Sequence, residues 1–533
     1  MTDIDSILNE NSDDFNLWEE AIKQVESKIS KSSSSSEIKQ FHTVFDQFLT
    51  KFPLLYGYWM KYANIEFKIK DSSSSELIYE RAVASIPTSV DLWVKYIDFE
   101  TSISQDHSTL RSLYKRATAS CGRDFMSHTL WDKYIEFETS LGNTDEVYNI
   151  LDFVIRLPLH QYARYFEQFS ALLPTRPLHY LVNEELTDQF AQEIDNGAQN
   201  PDYENLFRSK VTDYYKAIAL RTQNGTSARW SFESKISRPY FHIAELEYSE
   251  IRNWSSYLDF EEDQGDFDSI TALYERCLVP CALYDSFWLR YIRWLSGKLD
   301  TEEEVRNIYK RACSVFVPIG RPFIRISFAL FEEANNRPSV ANDIYNALLY
   351  ALPDSLEVII SKANFMRRTN KIEDVIDYYK SIIDSPDTAY TVKGPLTVEL
   401  AKLYWKIQGD PAKARELFQQ TATWYLDSPY FWINYLKFEI EQPLDIENPQ
   451  NNHKLIAGVH YDIITNATLP PHISKDLSHV YMDYLLQHGD SKSLKEYMYL
   501  DRQINGPFSV QDLHKRKLDT SIGSTEPVKR QKI

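Results

Sequence analysis

The stretch LWVKYIDFE, Leu92 to Glu100, sets Trp93, Tyr96, Phe99 and Glu100 in the spacing W-x2-Y-x2-F-E. The same phrase returns as Trp131-Tyr134-Phe137-Glu138, Trp254-Tyr257-Phe260-Glu261 and Trp432-Tyr435-Phe438-Glu439. Looser copies are Trp59-Tyr62-Ile65-Glu66 and Trp288-Tyr291-Trp294-Leu295. On a helix advancing about 100° per residue, Trp at 0, Tyr at +3 and Glu at +7 lie within about 60° of one another. The phrase therefore describes a helix with one broad aromatic face. Large rigid rings bury much area at little cost in side-chain entropy. A catalytic motif normally occurs once per active site, so this recurrence marks a structural module.

A second helix follows the copies at Trp59, Trp93, Trp254 and Trp288. Its phrase is YERA at 79–82, YKRA at 114–117 and 309–312, and YERC at 274–277. Ala82, Ala117, Cys277 and Ala312 are small, which lets the two helices approach closely. Trp59 to Trp93 spans 34 residues and Trp93 to Trp131 spans 38, the period of helix-turn-helix solenoids. Arg81, Arg116, Arg276 and Arg311 recur two residues after the second-helix Tyr. Their joint recurrence with the +7 Glu predicts ion pairs between helices, Glu100 with Arg116 being the example.

The chain divides accordingly. Residues 1–36 form an acidic segment and a first helix, with Trp18, Ile22, Val25 and Ile29 as its stripe. A serine loop, KSSSSSE, precedes a helix from about Glu37, and a second serine loop covers Ser72 to Ser75. Residues 37–170 make an N-terminal repeat array. Residues 171–250 read as a helical linker, with DYENLFRSKVTDYYKAIALRTQNG as one longer connecting helix. Residues 251–503 make a C-terminal array whose units at 355–383 and 397–424 are degenerate. About ten to twelve helical pairs result, each burying its face on its neighbours. The expected fold is all-α, an arched solenoid of two arrays joined by that linker.

Composition narrows the function. With 58 basic and 77 acidic residues the net charge is −19, which repels a phosphate backbone over most of the surface. Partners with basic tails suit such a chain better. Four Cys in 533 residues form no disulfide framework and suggest a reducing compartment. Cys277 and Cys281 lack further ligand partners and read as small buried residues rather than a metal site. Only 14 Gly are present, and no P-loop, G-x-S-x-G or H-E-x-x-H occurs. His242 and His460 have no partners visible in the sequence. No enzyme, cofactor or metal is expected. The N-terminus lacks a basic-then-apolar leader and no apolar run nears the roughly 20 residues of a membrane span, so a soluble, intracellular chain without membrane association is expected.

The tail from 504 to 533 has no apolar period and is expected to be disordered. Lys515, Arg516 and Lys517 are separated from Lys529, Arg530 and Lys532 by residues 518–528. Two basic clusters so spaced fit a bipartite nuclear-import signal.

W-x2-Y-x2-F-E followed by Y-x-R-A resembles the half-a-tetratricopeptide (HAT) repeat, whose proteins are arched helical solenoids of RNA processing. A narrower likeness covers about residues 40 to 500. The block Arg238-Pro239-Tyr240-Phe241-His242, preceded by Arg229-Trp230 and Phe232-Glu233 and followed by NWSSYLDFE at 253–261, is similar to the pre-mRNA-processing factor 39 family, as is YGYWMKYANIE at 56–66. The resemblance implies a non-catalytic scaffold of the U1 small nuclear ribonucleoprotein, acting in the nucleus at 5′ splice-site recognition. It implies other U1 proteins as partners, a homodimer or a heterodimer with a paralogous HAT subunit through the C-terminal repeats, and mainly indirect association with U1 snRNA and pre-mRNA. The paralogous pre-mRNA-processing factor 42 stays open, since no long terminal extension is present. A HAT scaffold of another complex, such as 3′-end cleavage, and a direct RNA binder are the alternatives. By its residues, the RPYFH block reads as a helix break at Pro239 with Arg238, Tyr240 and His242 able to bind a neighbouring loop, or as a packed connection between arrays.

Overall fold

The computed structural model describes residues 14–104, 106–194, 201–443 and 449–506. Within them lie 25 α-helices and no strand, so the expected all-α helical-repeat class is the fold observed. Contacts group the chain into two units, Met1–Ile324 and Arg325–Ile533.

The first unit begins with α1 (Phe15–Lys28), α2 (Ser35–Lys51), α3 (Tyr56–Ile69), α4 (Ser72–Ser85), α5 (Val90–Ile103), α6 (His107–Cys121), α7 (His128–Ser140) and α8 (Thr144–Val154). It continues through α9 (Tyr162–Leu172), α10 (Glu184–Gln192), α11 (Tyr203–Glu233), α12 (Tyr248–Gln264), α13 (Phe267–Cys277), α14 (Asp285–Ser296) and α15 (Glu302–Arg311). Consecutive helices pack as pairs, and α3, α5 and α7 also touch in series. One apolar core runs from Trp18 through Phe241 to Ala282. The segment at 171–250 carries α11 as one 31-residue helix. That helix contributes Phe207, Val211 and Tyr215 to this core.

Several helix starts are set by side-chain caps. Ser89 accepts from the Leu92 amide at the head of α5, which satisfies one of the orphan donors of a first turn. The second serine run enters a helix rather than a loop, whereas Ser32 to Ser34 of the first stay in the loop before α2. Ser34 and Glu37 form a capping box, so α2 starts at Ser35. Asp71 caps α4, whose first residues are Ser72 to Ser75. Ser75 is fully buried and donates to the Ala63 carbonyl at 2.9 Å. Serine is a poor mid-helix residue but a good first-turn one, which is where Ser35, Ser36 and Ser72 to Ser75 fall. Gly265 ends α12 at φ +79°, the left-handed cap that glycine adopts without strain.

The second unit holds α16 (Phe323–Ala334, from Arg325 on), α17 (Pro338–Ala351), α18 (Leu356–Thr369), α19 (Ile372–Asp384) and α20 (Tyr390–Lys402). It ends with α21 (Pro411–Thr421), α22 (Pro429–Ile440), α23 (Pro449–Thr465), α24 (Pro471–His488) and α25 (Ser491–Asn505). The degenerate unit expected from 397 begins earlier, at Tyr390, and its helix passes through Pro395. One apolar core of this unit is built around Trp432, Tyr435, Phe418 and Tyr481, and others lie around Tyr379 and Tyr345.

Candidate functional site: a ladder of repeat clasps

Around LWVKYIDFE on α5, Trp93 is buried and its Nε1 donates to the Pro87 carbonyl at 2.9 Å. Tyr96 stacks on Tyr79 of α4, with centroids 5.2 Å apart and planes 3° from parallel. Its hydroxyl donates to Glu80 Oε1 at 2.7 Å. Arg116 of α6 donates twice to the same carboxylate, at 2.8 and 2.7 Å, and lies 5.5 Å over the Trp93 ring. The acid of one repeat therefore accepts from the Tyr and the Arg of the next. Burial first and Glu80 second push the Tyr96 hydroxyl well above its ordinary pKa, so it stays a donor at any physiological pH.

The same clasp recurs. Asp46 accepts from Tyr62 at 3.2 Å and Arg81 at 2.8 Å, with Arg81 over Trp59. Glu275 accepts from Arg311 at 2.9 and 2.8 Å, with Arg311 over Trp288. Glu233 accepts from Tyr257 at 2.9 Å and Arg276 at 2.5 and 2.8 Å, with Arg276 over Trp254. Stacks of the Tyr79–Tyr96 kind join Tyr114 to Tyr134, Tyr274 to Tyr291 and Phe418 to Tyr435. Trp131, Trp288 and Trp432 donate to carbonyls as Trp93 does. Trp254 Nε1 is buried without a partner.

The expected Glu100–Arg116 pair does not form. Arg116 takes Glu80, and the +7 Glu faces backward to the preceding second helix. There its partner is the residue three before that helix's aromatic. Glu138 is held by Arg111 at 2.6 and 2.9 Å. Glu439 is held by Arg415 at 2.8 Å, and Glu261 by Arg229. Glu66 meets His42 at 2.8 Å. The reason is helical geometry: Glu at +7 shares a face with Trp and Tyr, and that face packs on the preceding repeat. Glu100 is the exception, buried with Oε2 unpartnered.

The acids of the clasp, Asp46, Glu80, Glu233 and Glu275, hold no fixed position of the W-x2-Y-x2-F-E and Y-x-R-A phrases. Helix α11, expected as a connector, is also more than one. In fact its last turns act as a second helix: Arg229 holds Glu261, Phe232 stacks on Tyr257 at 5.0 Å, and Glu233 is the clasp acid. The signal was present, since Phe232-Glu233 repeats the ring-then-acid order of Tyr79-Glu80 and Tyr274-Glu275. Arg276 adds a contact no repeat predicts: its Nε lies 2.9 Å from Asp124 Oδ2 in the loop after α6. Burial raises the Asp124 pKa and Arg276 opposes it. Beside this pair opens a cleft of about 550 Å³ lined by Cys121, Arg123, Arg229 and Arg311 among others.

The RPYFH block is a compact connection inside the first unit. Phe241 is buried in the core. Arg238 donates from its side chain to the Ala244 carbonyl at 2.7 Å and from its backbone to Glu250 at 3.0 Å. His242 Nδ1 accepts from the Ala244 amide at 2.9 Å. Arg238 and His242 thus bind their own loop. Pro239 and Tyr240 are exposed and border a second cleft of about 370 Å³ with Tyr56, Met126 and His128. Cys277 and Cys281 are fully buried. His460 has a partner after all, Ser478 Oγ at 3.0 Å, and stacks on Tyr481. The basic clusters at Lys515 to Lys517 and Lys529 to Lys532 lie outside the described residues. Among the described residues no helix is long and apolar enough to cross a membrane.

Comparison with known proteins agrees with this construction. A family model described as the PRP39 N-terminal HAT repeat matches residues 2–171, and one described as the PRP39 C-terminal HAT repeat matches 227–368. The chain is 40% identical to pre-mRNA-processing factor 39 of Schizosaccharomyces pombe, over 96% of this chain and 87% of that protein. It is 26% identical to the human protein of that name, over 98% and 79%. It is 27% identical to the U1 small nuclear ribonucleoprotein component PRP42 of Saccharomyces cerevisiae, over 55% and 56%. A solved structure titled as the crystal structure of CstF-77 superposes with a TM-score of 0.50 at 13% identity, covering 89% of this chain and 93% of that one, a likeness of fold alone. The chain belongs to the pre-mRNA-processing factor 39 family, built of HAT repeats and related to splicing factors.

Proposed function

We propose that the protein is a non-catalytic scaffold subunit of the U1 small nuclear ribonucleoprotein, acting in the nucleus at 5′ splice-site recognition through protein contacts. The observation that carries the reading is the use of the repeat signature. Every Trp and Tyr of the strong repeats is buried in clasps and stacks, so the signature residues are spent on holding repeats in register. The net charge of −19 is in keeping with basic protein partners. Kinship with a protein named as a U1 component supports the choice of complex.

In this reading U1 snRNA and pre-mRNA are reached mainly through other U1 proteins. Repeats within 251–503 make the dimer contact, with a second copy or with a paralogous HAT subunit. The basic clusters at 515–517 and 529–532 serve nuclear import. Filter binding of the purified chain to U1 RNA across a salt series tests the protein-mediated part. Weak, non-saturating binding is expected. Tight binding that falls steeply with salt would refute it, because phosphate contacts release counterions. Light scattering at micromolar concentration gives the oligomeric state: a dimer supports self-pairing, and a strict monomer assigns the pairing to the paralogous subunit.

A further inference from the structure

The backward-facing Glu of three strong repeats, at Glu138, Glu261 and Glu439, stands in a cradle of fixed composition. The +7 carboxylate and the +6 ring lie on the first helix, and a basic side chain comes from the preceding second helix. Arg111 donates to Glu138 and lies 6.0 Å over Phe137. Arg229 holds Glu261 and lies 5.6 Å over Phe260. Arg415 donates to Glu439 and lies 5.7 Å over Phe438. Each combines a charge-assisted pair with stacking on a ring, the use for which guanidinium is better suited than ammonium.

Between α4 and α5 the cradle is present and the cation is absent. Glu100 is 5% exposed and its Oε2 has no hydrogen-bond partner. Phe99 offers the +6 ring, met edge-on at 5.4 Å by Phe67, itself half exposed. The position three before Tyr79 is Glu76, so a second acid stands where the other repeats place Arg. Burial and then Glu76 raise the Glu100 pKa. A buried unpaired carboxylate is costly, and a second acid beside it adds to that cost.

We infer that the slot formed by Glu100, Phe99 and Glu76 receives an arginine side chain from a partner protein, the guanidinium standing where Arg111, Arg229 and Arg415 stand in their own repeats. Two carboxylates and a ring are the set that Arg276 meets in its own clasp, at Glu233, Asp124 and Trp254. The inference rests on the scaffold reading only for the source of the arginine.

The test is fluorescence anisotropy of a labelled Gly-Arg-Gly-Arg-Gly peptide with the full chain. Saturable binding is expected, weakened at least about tenfold by Glu76→Arg, which fills the slot in cis, and by Glu100→Gln, which removes the buried charge at constant shape. The citrulline peptide, isosteric and neutral, should bind equally weakly. Glu136→Arg makes the same charge change at an exposed site and should leave binding within about twofold. Glu76→Arg should also raise the thermal midpoint. Absence of saturable binding, equal binding of the citrulline peptide, or unchanged binding by both slot variants would overturn the proposal. Should Glu76→Arg fail to fold, the slot does not accept a guanidinium and the proposal fails with it. Co-purification with U1 RNA is independent of each of these outcomes, so the slot and the scaffold reading fail separately.

Discussion

Arg276→Ala is the sharpest test of the clasp. The guanidinium meets Glu233 through two donors and Asp124 through a third, and covers Trp254. Its side chain is 13% exposed, Asp124's is 13% and Glu233's 5%. Truncation leaves two buried carboxylates without a cation. Removing one partner of a buried pair costs about 3–5 kcal/mol, and two orphaned acids place this variant at the upper end. Spread over a cooperative unit of about 300 residues, at roughly 2.1 cal/mol/K per residue, that is a fall of about 5–8 °C in the melting midpoint. Unfolding confined to neighbouring repeats would give a larger fall. Differential scanning calorimetry reads the shift, and hydrogen exchange should place the loss at α12, α13 and the loop after α6. Arg116→Ala serves as the control. It makes the same bidentate bond and covers the equivalent Trp, but the pair is 48% and 37% exposed, and such pairs are worth about 1 kcal/mol or less. The triple variant Arg276→Met, Asp124→Asn, Glu233→Gln should recover much of the loss by removing the stranded charges. Equal, small losses for Arg276→Ala and Arg116→Ala would refute the reasoning, since burial would then have no bearing on the clasp.

Three further outcomes follow from particular bonds. Trp93→Phe should destabilise more than Trp254→Phe by about 1 kcal/mol, the worth of one hydrogen bond, because Trp93 donates to Pro87 while Trp254 Nε1 has no partner; urea titrations of both read the difference. Hydrogen bonds from Arg111 hold the Glu138 pKa below the ordinary 4.5 of a glutamate, so its stabilisation is full above pH 4.5 and is lost as pH falls through the lower folded value; the gap in melting midpoint between wild type and Glu138→Gln should narrow in acid. Burial lowers the His460 pKa from 6.5 to about 4, so the fold holds it neutral and loses stability as pH falls from 6.5 towards 4. His460→Gln should flatten the melting curve's pH dependence across that window.

The fold was legible because it is written in rings at fixed spacing. Trp93 and Tyr96 specify a helix, and their return every 34 to 38 residues specifies a stack. The electrostatics were legible only in part. The recurrence of Glu and Arg signalled pairing, yet the partners of Glu138, Glu261 and Glu439 lie 27, 32 and 24 residues upstream. A +7 residue's direction across the stack depends on which neighbour the aromatic face packs against, and periodicity does not state that. Helix α11 hid its role for a related reason: Arg229, Phe232 and Glu233 match a second helix in register but follow no first helix of the W-x2-Y kind. Asp124 could not be found from the sequence at all, since its contact with Arg276 comes from folding the loop after α6 onto a helix some 150 residues later.

Affinity purification of the tagged chain from nuclear extract, with sequencing of the bound RNA and mass spectrometry of the bound proteins, tests the scaffold reading most directly. Enrichment of U1 snRNA together with U1 proteins is the predicted result. Recovery of 3′-end cleavage factors, or of RNA without U1, would contradict it.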